Sequence, residues 1–179
     1  FALAYRSQSL QGPHKNDFLN PRAILESNVD YYEDLNSNSE EKLIRKLILS
    51  FNGHPSQPGY NRIELADLNP EDQDVFSYYE VTFPENLDVT NKPWNEVQKQ
   101  IVLSEKNPVT CQQCHGNPAR PIFQSYPTWD GFIGSRHTYG LTPEEVSGLD
   151  KFVNQQLLGK DSRYRHLNKD NFSRDNFTY

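Results

Sequence analysis

Both cysteines of this 179-residue chain fall inside one pentapeptide, Cys111-Gln112-Gln113-Cys114-His115. Two thiols three positions apart, with an imidazole next to the second, share one side of a helical turn. That grouping restricts what the surrounding chain can be. A structural zinc site needs four ligands, commonly two cysteine pairs or one cysteine pair and one histidine pair. No second cysteine pair is present, and no histidine pair follows at the required spacing. A thioredoxin-like dithiol needs a strand directly before the C-x-x-C. Here the preceding segment reads as a helix closed by Asn107-Pro108.

The remaining chemistry is covalent haem attachment, for which C-x-x-C-H is the signature. Each thiol can add across one porphyrin vinyl group, and His115 then lies under the ring to give its imidazole to iron. Covalent haem leads, a metal or dithiol redox site stands second, and a surface disulfide third. The motif resembles that of c-type cytochromes. The longer run Asn107-Pro108-Val109-Thr110-Cys111 to Cys114-His115-Gly116-Asn117-Pro118-Ala119-Arg120-Pro121-Ile122-Phe123, then Tyr126-Pro127-Thr128-Trp129-Asp130-Gly131-Phe132-Ile133-Gly134-Ser135, resembles a group of secreted bacterial monohaem proteins. The resemblance covers the last third to half of the chain, and only C-x-x-C-H is specific. It implies one covalent haem c, export to the periplasm or cell exterior, and redox chemistry with a partner protein.

Composition fits a chain that needs a cofactor to fill its core. The hydrophobic fraction is 35%, mean hydropathy is −0.85, and twelve prolines promise long loops. Ten Tyr, ten Phe and two Trp suit a porphyrin pocket. The net charge of −6 and the absence of a basic stripe exclude a nucleic-acid partner. No apolar run is long enough to span a membrane. Phe1-Ala2-Leu3-Ala4 has the small-x-small pattern left by a removed signal peptide.

Residues 1–20 read as a polar arm, and Pro21 to Tyr32 as a short helix. Leu43, Ile44, Leu47, Ile48 and Phe51 recur at helical steps, predicting a helix over 39–51 that ends at Gly53. Arg62–Leu65 and Val75–Phe83 read as strands of a small ribbon. Trp94, Val97 and Ile101 predict a helix from Pro93 to Ser104. Thr142-Pro143-Glu144-Glu145 is a capping box ahead of a helix with Val146, Leu149, Phe152 and Val153 on its apolar face. Helix, C-x-x-C-H, long loop and C-terminal helix follow the order of small cytochromes c. The expected fold class is mainly α: a cytochrome c-like helical core at 91–179, behind an N-terminal extension at 1–90 holding a helix and a β ribbon.

His115 is the expected proximal iron ligand. The chain has no methionine, so a His/Met iron is excluded, and a second His or an open sixth position remains. His137 is the first candidate for the distal ligand and His166 the next. Tyr126, Tyr139, a lysine or a neighbouring chain are further options. Arg120 and Arg136 are candidates for the haem propionates, because a guanidinium fork matches a carboxylate. Tyr126 and Trp129, with Phe123 and Phe132, are candidates to cover the porphyrin. Pro118 or Pro121 is expected to offer the carbonyl that orients His115.

The expected function is single-electron carriage outside the cytoplasm by a monohaem protein. The rivals are a haem enzyme or gas-binding protein with an open sixth site, and a haem subunit of a larger complex, filament or homo-oligomer.

Overall fold

The computed structural model describes residues 1–5, 17–31, 43–68, 76–120, 132–133 and 142–167. Among them the chain is built on strands: β1 (Ala2–Ala4), β2 (Arg22–Tyr31), β3 (Leu43–Phe51), β4 (Arg62–Leu68), β5 (Phe76–Thr82), β6 (Val102–Leu103) and β7 (Phe132–Ile133). They form one sheet in the order β6-β5-β4-β3-β2-β1-β7. The helices are short: α1 (Trp94–Gln98), α2 (Val109–His115) and α3 (Pro143–Phe152).

This corrects the mainly α, cytochrome c-like fold and the family resemblance that rested on it. The helices expected over 21–32 and 39–51 are strands β2 and β3. The helix expected over 93–104 stops at Gln98, and Val102-Leu103 join the sheet edge. In β3 the sequence Leu-Ile-Arg-Lys-Leu-Ile-Leu-Ser-Phe places its six apolar residues at helical spacing, but a short apolar run of this length also suits a strand, and periodicity alone does not separate the two. Its β-branched isoleucines favour the extended backbone. The strands expected at 62–65 and 75–83 are present as β4 and β5, antiparallel with Leu65 opposite Tyr79.

The chain divides into two compact units. The first gathers Phe1–Leu25, Ser50–Tyr60 and Ile122–Tyr179. Its core holds Leu3, Tyr5, Ala23, Leu149, Phe152, Leu157, Tyr164 and Leu167. The Tyr164 hydroxyl donates to the Pro21 carbonyl at 2.5 Å, and its ring meets Phe152 edge-on. Burial pushes its phenol well above the usual tyrosine range. Arg22, itself buried, donates to Ser50 Oγ and Asn52 Oδ1, so its charge is solvated by the fold. The capping box at Thr142 forms as expected, with Glu145 N–H donating to Thr142 Oγ1 and Thr142 N–H to Glu145 Oε2. α3 buries Leu149 and Phe152, then continues as a π-helical turn over Val153–Leu157.

The second unit gathers Glu26–Leu49 and Asn61–Pro121. It contains the β4–β5–β6 ladder, α1 and α2. Val97, Ala66, Tyr78, Cys111 and Ala119 are buried here.

Candidate functional site

The C-x-x-C-H pentapeptide forms most of α2. Pro108 opens the helix with an extended backbone, and Cys111 N–H donates to its carbonyl at 2.9 Å. Gly116 closes it at φ 80°, in the left-handed region where a side chain would be strained. Cys111 and Cys114 are one helical step apart and neither is in a disulfide. The two thiols differ: Cys111 is buried and Cys114 exposed.

Burial, with the negative charges of Glu80 and Glu64 adding to it, pushes the Cys111 thiol up to about 11. It is therefore a thiol, not a thiolate, at neutral pH. Dithiol redox sites work in the opposite direction, through a thiolate favoured at low pKa.

His115 is held on two sides. Its Nδ1 lies 3.0 Å from the Arg120 carbonyl oxygen. A carbonyl can only accept, so Nδ1 carries a proton and donates it there. This is the orientation that metal-binding histidines adopt. The carbonyl comes from Arg120 rather than from Pro118. Against one face of the imidazole lies the Tyr78 ring of β5, stacked with centroids 4.0 Å apart and planes 25° apart.

Asn107 fastens the helix to that strand. Its backbone takes φ 53°, which asparagine tolerates better than most residues. Its side chain accepts from Tyr78 N–H at 2.8 Å, and its own N–H donates to the Tyr78 carbonyl at 2.8 Å. Gln112 of α2 then donates through Nε2 to the Asn107 carbonyl at 2.7 Å. Ser104 extends the same pairing, with its N–H donating to the Glu80 carbonyl and its hydroxyl accepting from Glu80 N–H. Residues 104–107 thus continue the β5–β6 ladder as far as the start of α2.

Arg120 is exposed and contributes its backbone carbonyl. Tyr126, Trp129, Arg136 and His137 lie outside the described residues, as do Phe123, Pro121 and Tyr139. His166 is in a 3₁₀ turn (Arg163–His166) of the first unit, where its Nε2 accepts from Arg165 Nε at 3.0 Å. Tyr78 was not singled out from sequence, and Asn107 entered there as the stop before the motif, not as a support of His115. Asn107 had a readable signal, an asparagine ahead of a proline, but Tyr78 sits 37 positions before His115 and had none.

Among the described residues, no three or more His, Cys, Asp or Glu side chains gather where they could cage a metal ion. With the helical fold also absent, the description as a metal-binding cytochrome c is corrected: Cys111, Cys114 and His115 stand on a sheet-rich scaffold. No helix among the described residues is long and apolar enough to cross a membrane, in agreement with the sequence. Comparisons with protein-family models, curated proteins and solved structures found no match to this chain.

Proposed function

We propose that α2 is a covalent haem attachment site on a scaffold distinct from cytochrome c, and that the protein carries single electrons outside the cytoplasm. The observation that carries this reading is the set of three groups on one short helix: two thiols outside any disulfide, and an imidazole whose Nδ1 is tied to a backbone carbonyl.

The chemistry of the donor set fits the group. A cage for a bare ion needs three or four side chains, whereas a haem brings four nitrogens of its own and asks the protein for one axial base. Cys111 and Cys114 would hold it by thioethers. In each addition the sulfur bonds to one vinyl carbon and the thiol hydrogen goes to the other, so no oxidant is consumed. His115 would supply the axial nitrogen, with the Arg120 carbonyl keeping the proton on Nδ1. A bound haem supplies a one-electron iron couple. Since the chain has no methionine, the sixth position would be filled by another base or left open.

The reading is tested on the chain exported by a host that attaches haem to C-x-x-C-H sequences. Colour that survives acid-acetone extraction, and is lost in the double variant Cys111→Ala/Cys114→Ala, is the expected result. A colourless chain overturns it. Adding carbon monoxide to the reduced protein then separates the roles: an unchanged low-spin spectrum supports electron carriage, and a shifted one gives the lead to a gas-binding or enzymatic role.

A further inference from the structure

A β-strand of the second unit supplies a second restraint on His115. The imidazole Nδ1 donates to the Arg120 carbonyl at 3.0 Å. The Tyr78 ring lies against the imidazole face, 4.0 Å away and 25° from parallel. Tyr78 is buried, and both its backbone N–H and its carbonyl are engaged by Asn107. Asn107 also receives Gln112 from the turn that bears the cysteines. One residue therefore sets the position of the tyrosine and of the helix together.

We propose that Tyr78 is a positioning residue for His115, setting the plane in which the imidazole meets its ligand. The proposal rests on His115 being an axial base, the reading given above, but its geometric part can be tested without any haem.

The first measurement uses the haem-free full chain, made as Cys111→Ala/Cys114→Ala. Nuclear Overhauser contacts between the Tyr78 ring protons and the His115 ring protons are expected, together with an upfield ring-current shift of the His115 signals. The shift should persist in Tyr78→Phe and disappear in Tyr78→Leu. Absence of these contacts in the chain with Tyr78 intact overturns the proposal, and that observation stands even if Tyr78→Leu fails to fold. The second measurement is the electron paramagnetic resonance spectrum of the ferric, haem-loaded protein. One narrow set of g-values is expected with Tyr78 and with Tyr78→Phe, and a broadened distribution with Tyr78→Leu. Equal spectra for all three overturn the positioning role. A chain that shows the contacts but never acquires haem overturns the cofactor reading instead.

Discussion

Asn107 does more than its neighbours in the sequence would indicate. Its left-handed backbone, its side-chain bond to Tyr78 N–H and its carbonyl bond from Gln112 join strand to helix at one residue. Alanine there pays the left-handed strain and leaves a largely buried N–H without its acceptor, so Asn107→Ala should lower stability by about 2–3 kcal/mol. Asn107→Gly relieves the strain but not the lost bond and should fall between the two; urea unfolding midpoints measure all three. Cys111 makes a prediction about pH. Its thiol is raised from an ordinary value near 9 to about 11, so the folded state holds the proton more tightly than the unfolded chain does. The resulting stabilisation is complete below pH 9 and is lost as pH rises from 9 towards 11. Denaturation between those limits should show an alkaline decline that Cys111→Ala reduces. A sulfur converted to a thioether has no proton to lose, so the haem-loaded chain should lack this part of the decline.

α3 shows how far element-level rules hold. Thr142 and Glu145 were read as a capping box, and both reciprocal bonds form. Thr142→Ala should cost about 1 kcal/mol, read from the thermal or chemical unfolding midpoint. Inside the same helix, replacing glycine by alanine would ordinarily stabilise by roughly 0.5–1 kcal/mol. At Gly148 the sign should reverse, because an added Cβ would lie 2.3 Å from the ring of Phe18. Gly148→Ala is expected to destabilise, and pairing it with Phe18→Ala should recover part of the loss beyond what the single changes predict. β3 marks the limit of the same rules. Its residues fit a helical stripe and a strand equally well, and β-sheet pairing with distant segments decided between them. No local pattern contains that information.

At the scale of the molecule, local motifs were legible and the architecture was not. The helix carrying the two thiols, the capping box and the β4–β5 hairpin could all be read, because each is set by residues close in sequence. The order of elements suggested a helical core, but the same order is compatible with a sheet once residues 22–31 and 43–51 are extended. At the candidate site, Cys111, Cys114 and His115 were legible as a group. Their supports, Tyr78 and the Arg120 carbonyl, depend on the turn after α2 and on β5 passing beside it. On the proposed reading, the two cysteines and the histidine of α2 hold one haem on a sheet-rich scaffold. The intact mass of the exported chain tests this most directly. A gain equal to one haem is expected, retained under denaturing conditions and abolished when both cysteines are replaced by alanine. A chain recovered at its polypeptide mass, with both thiols still open to alkylation, would contradict it.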